Sequence, residues 1–370
     1  MRILIQHPHR KQEISGVLTS IEEMTPELTS RPGIDVRVLS TKECGTWQQI
    51  AAVWWADAVM LNSNALLIAF AARLFRRRTL LKIHYLQYHT VHTHYVPMSF
   101  GQRLLTELRY YWGLGSGWRY FTESVVRLAL RSVVGLIVHR VSACSRFCAE
   151  QSSLPRDVRV LRNPMRIAEG LPPRDFASLD EPRRFVFLGR VNRDKGCDTL
   201  LDAAREIART GREFRIDVIG DGNELSALKE RAAADGLAGH FRFFGRVESS
   251  QALAALSGAL AAVMPSRYQE PAGYIPVEAA SRGIACIVST AGGLPETAGP
   301  DCPAFSAGHA DELARLMIRY LDHPEEALAA GHAAYLRAQT LYSPRLIVGE
   351  LLGLLSDSGK VVAEKLPRSL

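Results

Sequence analysis

FVFLGRVNRDKGCDTLLDAAREIARTGREFRIDVI, residues 185–219, carries the pattern of a strand, a helix and a second strand. The short apolar runs 185–188 and 214–219 predict buried strands. Between them an apolar stripe recurs at helical spacing, and Asp198 is a suitable N-cap for the helix that it predicts. The stripe consists of Leu200, Leu201, Ala204 and Ile207. A strand, a helix and a strand in this order predict parallel pairing in an α/β fold.

The same alternation continues through the rest of the chain. Further apolar runs predict strands at 2–6, 34–39, 58–62, 80–84, 135–139, 158–161, 241–244, 261–264 and 284–288. The segment 164–183 interrupts the pattern with four prolines and few periodic apolar positions, so we interpret it as a linker. The sequence therefore predicts an N-terminal domain at 1–163 and a C-terminal domain at 184–342. A final helix and a loose tail are predicted at 343–370.

Composition excludes several classes of protein. Of the 370 residues, 47% are hydrophobic and 22% are charged, which is ordinary globular usage and excludes wholesale disorder. No apolar run reaches the roughly 20 residues that span a bilayer, and the N-terminus lacks the pattern of a signal peptide. We therefore expect a cytoplasmic protein.

The net charge of +7 arises in the first half of the chain. One basic cluster consists of Arg73, Arg76, Arg77, Arg78 and Lys82, and the stretch 100–140 mixes arginines with aromatic residues. Such a surface suits nucleic acid, an anionic membrane or an anionic substrate, and a solvated face explains it as well. No recognised nucleic-acid-binding motif is present, so nucleic acid is not expected as a partner. Peripheral contact with an anionic membrane, at the inner face of the plasma membrane, stays an open expectation.

The loops after the strands hold the candidate site, because ligands of open α/β sheets bind beyond the carboxyl ends of the strands. Gly189, Arg190 and Lys195 follow the strand at 185–188. Two cations and free backbone amides just ahead of a helix suit a diphosphate. An ordinary surface loop would carry the same residues, so this pattern alone does not decide between the two.

Two carboxylates follow the strand predicted at 261–264. Glu270 falls in a loop that contains glycine, and Glu278 falls on the next helix. Both suit a ligand rich in hydroxyl groups, and a pair of solvated glutamates is the simpler alternative. A glycosidase pair fits poorly, because hydrolysis of a plain glycoside has no use for the two cations of the neighbouring loop. Gly292 and Gly293 offer further backbone amides after the next strand.

These loops resemble those of one known family. PSRYQEPAGYIPVEAASRG, residues 265–283, is similar to the EX7E motif of retaining GT-B glycosyltransferases of family 4, also called glycosyl transferases group 1. FLGRVNRDKGCDTLLDAA and STAGGLPE resemble two further segments of that family, in the same order. The resemblance implies a GT-B fold, in which two Rossmann-like domains with parallel sheets face a central cleft. It also implies that the final helix, near 344–355, crosses back onto the N-terminal domain.

The resemblance also implies roles for individual residues. Arg190 and Lys195 would act in catalysis by holding the donor diphosphate, beside Gly189. Glu270, also catalytic, would accept hydrogen bonds from the donor sugar, and Glu278 from the nucleotide ribose. The other expected donor contacts are Ala272 and Gly273 at the sugar, Gly245 and Arg246 beside the base, Gly292, Gly293, and Gly16 beside the phosphate. Ala272 departs from the family, which usually has phenylalanine there.

In the N-terminal half, His84 closes a predicted strand and resembles a histidine that the family places near the reacting sugar. It would act in catalysis by hydrogen-bonding a sugar hydroxyl. His89, His92 and His94 follow, and the spacing of the last two could chelate a metal. A polar loop explains these three as well. Because GT-B enzymes generally need no metal, we expect neither a metal nor another cofactor.

The activity that the resemblance implies is that of a hexosyltransferase-type enzyme. It would move a sugar from a UDP- or GDP-sugar, with retention at the anomeric carbon, to a lipid-linked, polysaccharide or other glycan acceptor. Bacterial cell-surface or exopolysaccharide biosynthesis is the expected setting. Three alternatives stay open: a GT-B sugar-nucleotide epimerase, a phosphorylase, and a nucleotide- or glycan-binding protein without catalysis.

Overall fold

The computed structural model describes residues 1–10, 13, 15–85, 102, 105, 117–152, 154, 156–171 and 173–356. In that part of the chain, two parallel sheets of six strands each are present. The chain divides into two compact units, the first formed by Met1–Pro164 and Tyr342–Leu370 and the second by Met165–Leu341. The predicted α/β class with parallel sheets is confirmed. No helix of the described residues is long and apolar enough to cross a membrane.

The sheet of the first unit has the order β2-β1-β3-β4-β5-β6. Its strands are β1 Arg2–His7, β2 Asp35–Ser40, β3 Ala58–Leu61, β4 Arg78–Ile83, β5 Arg140–Ala143 and β6 Val158–Val160. Its first helices are α1 Gly16–Thr29, α2 Thr46–Trp55, α3 Leu66–Leu74, α4 Gly117–Ile137 and α5 Arg146–Glu150. The direction of strand addition reverses between β1 and β3, and such a switch point is where open α/β sheets bind ligands.

The sheet of the second unit has the order β12-β11-β10-β7-β8-β9. Its strands are β7 Arg184–Leu188, β8 Arg215–Ile219, β9 Phe241–Gly245, β10 Ala261–Met264, β11 Ala285–Ser289 and β12 Ala304–Phe305. Its helices are α6 Cys197–Ala208, α7 Leu225–Ala234, α8 Ser249–Ala254, α9 Ile275–Ala280, α10 Leu294–Ala298, α11 Ala310–Asp322 and α12 Pro324–Tyr342. The switch point lies between β7 and β10, which pair directly although β8 and β9 separate them in sequence.

The last helix, α13 Pro344–Leu355, belongs to the core of the first unit. The hydroxyl of Ser343 caps it by accepting a hydrogen bond from the N–H of Leu346 at 3.3 Å. Its buried residues are Ile347, Val348, Leu351, Leu354 and Leu355, which share one hydrophobic cluster with Ile3, Ile5 and Met60 of β1 and β3. Burying one such side chain contributes about 1.5–3 kcal/mol to stability, so these buried residues keep α13 packed on the sheet.

Three predictions made from local sequence are wrong. The strand predicted at 135–139 is the end of α4, which runs to Ile137, and β5 begins only at Arg140. Val134 and Val138 are both buried and lie four residues apart, which is helical spacing. A short apolar run fits a buried strand or part of a buried helix, so the run at 135–139 alone did not distinguish them.

Asp198 is not the N-cap of α6. Gly196 takes that position with φ +71°, and the helix begins at Cys197. A Cβ at Gly196 would lie 1.9 Å from the carbonyl oxygen of Pro265, so only glycine fits there. Asp198 binds Arg267 instead, with 2.8 Å between Oδ2 and Nη2.

Lys82 does not belong to a basic surface cluster, although the sequence groups it with four arginines. It is fully buried in β4. Its ammonium group donates to Ser20 Oγ at 3.4 Å and to the carbonyl oxygen of Arg162 at 3.2 Å. Burial lowers the pKa of Lys82 to about 8, because the charged form has lost its water.

Candidate active site

A cavity of about 180 Å³ lies at the carboxyl ends of β7 and β10, at the switch point of the second sheet. Five of the residues predicted for the site line it: Gly189, Arg190, Lys195, Glu270 and Gly273. These residues come from two loops that are far apart in sequence. The parallel pairing of β7 with β10 brings the loops together, because both strands end at the same edge of the sheet.

The central interaction of the cavity is an ion pair between Lys195 and Glu270. The Lys195 ammonium group contacts Oε1 of Glu270, and the Ser266 hydroxyl donates to the same oxygen at 3.1 Å. Glu270 is only 8% exposed, and these two partners compensate for the water that its buried carboxylate has lost. Both contacts are made to Oε1, and among the described residues no donor reaches Oε2. That oxygen can accept a hydrogen bond from a ligand.

The loop after β7 delivers Lys195 to this position. The residues 193–195 form a single 3-10 turn, which ends at Gly196 in the left-handed conformation. The carbonyl oxygen of Asp194 accepts hydrogen bonds from the backbone N–H groups of Arg267 and Tyr268, at 2.9 and 3.0 Å. These two bonds fasten the β7 loop to the β10 loop. The Arg190 side chain is 64% exposed and pairs with Asp194 at 3.2 Å, so it can turn towards an anion in the cavity.

Gly292 and Gly293 support the loop of Glu270 instead of lining the cavity. The N–H of Gly293 donates to the carbonyl oxygen of Glu270 at 2.7 Å. A Cβ at Gly292 would lie 2.4 Å from that oxygen, and one at Gly293 would lie 2.6 Å from the carbonyl oxygen of Pro271. Two glycines are therefore needed where the β11 loop crosses the β10 loop.

Glu278 lies on α9, one turn after Tyr274, which lines the cavity. Its own side chain is not part of the cavity wall. Burial raises the pKa of Glu278 to about 7, against the opposite effect of the Arg282 guanidinium group. Among the described residues none donates a hydrogen bond to this carboxylate. A half-buried carboxyl group without a donor is suited to accept hydrogen bonds from ligand hydroxyls.

Ala272 and Gly273 adopt different positions in the same loop. Gly273 lines the cavity with φ +84°, and a Cβ there would lie 2.7 Å from Leu294 Cδ2. Ala272 is buried and points away from the cavity wall, with its carbonyl oxygen bound to the hydroxyl of Thr297 at 2.7 Å. Of these two residues, Gly273 lines the cavity and is available to a ligand there, whereas Ala272 is not.

The loops of this cavity are those in which the protein matches a known family. Residues 173–337 match the family model described as glycosyl transferases group 1. The second unit carries a glycosyl transferases group 1 domain. The Lys195–Glu270 pair and the glycines that support it all lie within the matched residues.

Two curated relatives each match less than half of the chain. The 2-deoxystreptamine glucosyltransferase of Streptomyces kanamyceticus is 34% identical over 145 residues, which are 39% of this chain and 37% of that protein. The GDP-mannose-dependent monoacylated alpha-(1-6)-phosphatidylinositol monomannoside mannosyltransferase of Corynebacterium glutamicum is 29% identical over 170 residues, 44% of each chain. The chain thus covers less than half of the length of these curated relatives.

One solved structure resembles nearly the whole chain. Anabaena HepE in complex with UDP and glucose is 17% identical, with a TM-score of 0.69 over 96% of this chain and 100% of HepE. A likeness of this extent identifies the fold of the group 1 domain and of the first unit together. The predicted GT-B fold, with two Rossmann-like domains, is confirmed.

Gly245 and Arg246 are not brought to the cavity of the group 1 domain. Gly245 ends β9, the edge strand, and takes φ +67°. Arg246 follows it with an exposed side chain. One strand, β8, lies between β9 and the β7 loop that lines the cavity. Contact between these two residues and a nucleotide base stays a prediction.

Ser266 is a cavity residue that the sequence does not predict. It is buried at the end of β10, and its carbonyl oxygen accepts a hydrogen bond from Ser289 of β11 at 2.6 Å. The Ser289 bond orients the backbone from which the Ser266 hydroxyl reaches Glu270. Its position directly after a predicted strand, four residues before Glu270, is the signal that could have indicated it.

In the first unit, His84 directly follows β4 and binds Asn62, with 2.7 Å between Nε2 and Oδ1. Burial, and then the charges of Lys82 and His9, lower the pKa of His84 well below its usual value. The ring is therefore neutral at pH 7, and its Nε2–H donates to Asn62. Nδ1 is left as the hydrogen-bond acceptor. Gly16 is the first residue of α1, directly after the capping Ser15. His89, His92 and His94 lie outside the described residues.

Proposed function

We propose that this protein is a glycosyltransferase that moves a sugar from a nucleotide-diphosphate sugar to a glycan or lipid-linked acceptor, with retention at the anomeric carbon. The observation that carries the proposal is the buried Lys195–Glu270 pair beside Arg190 in one cavity at a switch point. The relatives support the donor class: one is named for GDP-mannose, and HepE was solved with UDP and glucose. A UDP- or GDP-sugar is therefore the proposed donor.

The two cations would bind the donor diphosphate. When the glycosidic bond breaks, negative charge accumulates on the leaving diphosphate, and Lys195 and Arg190 are positioned to stabilise it. Lys195 is held in place by Glu270 before the donor binds, so little reorganisation is required. Removing one preorganised group of this kind typically costs about 3–4 kcal/mol of transition-state stabilisation.

The two carboxylates would bind hydroxyl groups of the donor. Glu270 lines the cavity of about 180 Å³, and its Oε2 would accept a hydrogen bond from the sugar. Glu278 on α9 would accept hydrogen bonds from the ribose. Vicinal hydroxyl groups can donate hydrogen bonds to a carboxylate oxygen that has no donor within the protein. In the proposed reaction the bond between the anomeric carbon and the diphosphate breaks, the acceptor oxygen bonds to that carbon from the same face, and the departing phosphate takes the acceptor proton.

The acceptor proposal depends on a surface of α2 and α3, which pack against each other. Trp47 and Trp54 are 82% and 65% exposed and lie seven residues apart on α2, so they share one face. On α3 the exposed apolar residues Leu67, Phe70 and Leu74 also share one face, and Arg73, Arg76 and Arg77 adjoin it. We call these eight residues the α2–α3 surface.

Exposed tryptophans beside arginines are typical of proteins that bind the interface of an anionic membrane. Arg77 reaches the backbone carbonyl of Trp54 at 2.7 Å, so one of the cations lies directly beside the aromatic residues. We propose that the α2–α3 surface contacts the inner face of the plasma membrane and thereby supplies a lipid-linked acceptor. Cell-surface or exopolysaccharide biosynthesis is the setting that such an acceptor implies.

The donor proposal can be tested by thermal stabilisation with UDP, GDP, ADP and dTDP. A ligand at about 100 times its Kd adds about 2.7 kcal/mol of stability. We expect one nucleotide to stabilise the wild-type protein and Arg209→Ala, which removes an exposed arginine outside the cavity, but not Arg190→Ala/Lys195→Ala. Stabilisation by no nucleotide, or equal stabilisation of the double variant, would contradict the proposal.

Transfer itself needs a separate assay with the nucleotide sugar that stabilises the protein. We expect a glycosylated product only when an acceptor is present, with the anomeric configuration of the donor retained. Release of an epimerised sugar without an acceptor product would identify a sugar-nucleotide epimerase instead. Tight donor binding with no turnover on any glycan or lipid-linked acceptor would identify a binding protein.

A further inference from the structure

A second cavity, of about 350 Å³, lies on one face of the sheet in the group 1 domain. Its lining includes Arg184 at the start of β7, Arg215 and Asp217 of β8, Arg242 and Phe244 of β9, and the acidic residues Asp180 and Glu181. Asp180 pairs with Arg184 and Glu181 pairs with Arg183, so both of these carboxylates already have a cation. Arg184 and Arg215 are the first residues of their strands, so this cavity lies at the amino ends. The candidate active site lies at the carboxyl ends of the same sheet, so the two cavities are distinct.

The strand β8, which contributes to the lining of this cavity, is unusual for a buried parallel sheet. Such strands are normally apolar on both faces, because helices cover both. In β8 the residues Ile216 and Val218 enter the hydrophobic core, whereas Arg215 and Asp217 occupy the other face. The helix next to that other face, α8, has only six residues, and the alanines at 254 and 255 border the cavity. So short a helix leaves this part of the sheet open.

The side chain of Arg184 lines the cavity and is bound by other groups of the protein. It is buried, and its guanidinium group donates to Asp180 at 2.6 Å, to Oδ2 of Asp217 at 3.0 Å and to the carbonyl oxygen of Ala255 at 2.6 Å. A further contact joins it to the carbonyl oxygen of Ser257. Its donors are therefore used within the protein, and it is not available to a ligand.

Asp217 is only 4% exposed, and its second oxygen has no hydrogen-bond donor among the described residues. Leaving a buried acceptor unsatisfied costs about 1–3 kcal/mol, so such an atom calls for a partner. Burial also raises the pKa of Asp217, against the opposing charge of Arg184. A hydroxyl group in the cavity would satisfy this oxygen.

Arg215 and Arg242 carry the positive charge of the cavity. Arg242 is the register partner of Asp217, and Arg215 lies two residues before Asp217 on β8, so both arginines share the face of the sheet that carries this carboxyl group. Neither side chain has a hydrogen bond or an ion pair with another described residue. Phe244 lies two residues after Arg242 on the same face, and its ring is 49% exposed.

We infer that this cavity binds a phosphorylated sugar, in addition to the donor site. Guanidinium groups bind phosphate through paired, charge-assisted hydrogen bonds, which Arg215 and Arg242 can supply. The exposed ring of Phe244 provides an apolar face for the sugar ring, and a sugar hydroxyl donates to Oδ1 of Asp217. The site does not depend on the proposed transfer activity, because none of its residues lines the active-site cavity.

The test is isothermal titration of the full chain with glucose 6-phosphate, glucose 1-phosphate and mannose 6-phosphate. Inorganic phosphate and glucose each represent one part of a sugar phosphate and are titrated as the two partial ligands. We expect at least one sugar phosphate to bind, and both partial ligands to bind at least tenfold more weakly. Absence of binding by all three sugar phosphates would overturn the inference.

Variants locate the site. Arg215→Gln and Arg242→Gln should each weaken the binding of the sugar phosphate at least tenfold, and Phe244→Ala should weaken it severalfold while leaving that of inorganic phosphate unchanged. Arg209→Gln, which removes an exposed arginine elsewhere, should bind like the wild type, and so should Lys195→Ala. Because Arg242 is exposed, its variant should fold even if Arg215→Gln does not. Binding that is lost in Lys195→Ala and kept in Arg242→Gln would place the ligand in the active-site cavity and overturn the inference.

Discussion

The ammonium group of Lys195 contacts the carboxylate of Glu270, 75 residues further along the chain. Both side chains are largely buried, and the Ser266 hydroxyl binds the same oxygen of Glu270. An ion pair in this environment costs desolvation energy that its own attraction barely offsets. The presence of such a pair at a strand switch point is therefore better explained by ligand binding than by stability.

The first prediction concerns the stability of this pair. Lys195→Ala leaves Glu270 buried without its cation and should lower the free energy of unfolding by roughly 3 kcal/mol. Lys195→Met/Glu270→Gln removes both charges and should recover most of that loss. Urea denaturation of the three proteins measures the difference. A double variant less stable than Lys195→Ala would show that the pair stabilises the fold.

The second prediction concerns the activity of the same residues. If the protein is a glycosyltransferase, Lys195→Ala and Glu270→Gln should each lower kcat/KM about 10²–10³-fold, because each removes a preorganised group at developing charge or at a sugar hydroxyl. Steady-state kinetics with the nucleotide sugar measures the loss. Losses below about threefold in both variants would place the chemistry elsewhere.

The third prediction concerns the crossing of two loops. Gly293→Ala puts a methyl group about 2.6 Å from the Pro271 carbonyl oxygen and must displace the loop of Glu270. We expect a loss of about 1–3 kcal/mol of stability and weaker nucleotide binding. Gly239→Ala is the matched control, since a methyl group there meets nothing within 4 Å. Equal nucleotide affinity in the two variants would contradict the supporting role of Gly293.

The fourth prediction concerns the pH dependence that Glu278 contributes. Its folded-state pKa is raised to about 7 from an ordinary value of 4.5, so the folded protein binds more protons than the unfolded chain between those pH values. The contribution of Glu278 to stability is therefore fully present below pH 4.5 and is lost as the pH rises towards 7. Glu278→Gln should thus gain stability relative to the wild type across this window.

Thermal melts of the two proteins without nucleotide, at pH 5 and pH 8, measure this difference. The melting temperature of Glu278→Gln minus that of the wild type should be larger at pH 8. A difference that is constant between the two pH values would show that Glu278 titrates normally.

The fifth prediction concerns the α2–α3 surface. Trp47→Ser/Trp54→Ser should reduce binding to vesicles that contain phosphatidylglycerol by about tenfold or more, because both side chains supply apolar area to the interface. Phe176→Ser, which removes an exposed aromatic residue of the second unit, is the control. Co-sedimentation with the vesicles measures both. Unchanged sedimentation of the double tryptophan variant would remove the proposed membrane contact.

The local hydrophobic pattern was sufficient to predict much of the fold and about half of the residues that line the active-site cavity. Short apolar runs such as 261–264 became strands, and the polar residues at their ends, among them Lys195 and Glu270, line the cavity. Where the pattern is ambiguous, as at 135–139, the prediction failed because a short apolar run fits both a strand and a helix. Asp198 failed as a cap because the decisive contact, between Gly196 and Pro265, joins residues distant in sequence.

Some features of the molecule have no local signal at all. The crossing of the Glu270 loop by Gly292 and Gly293 depends on contacts between backbones of different strands. The second cavity depends on the open face that a short α8 leaves over β8 and β9. The burial of Lys82 likewise follows from its neighbours in the sheet, not from the arginines near it in sequence.

The sequence by itself determined the alternation of strands and helices, and it determined which charged residues follow which strands, because both are properties of residues close together in the chain. Only the tertiary structure decided which of those loops meet. Pairing of β7 with β10 places Lys195 against Glu270, and pairing of β8 with β9 places Asp217 beside Arg242. Pairing of strands distant in sequence is decided by the packing of the whole sheet, which a local period of two or 3.6 residues does not encode.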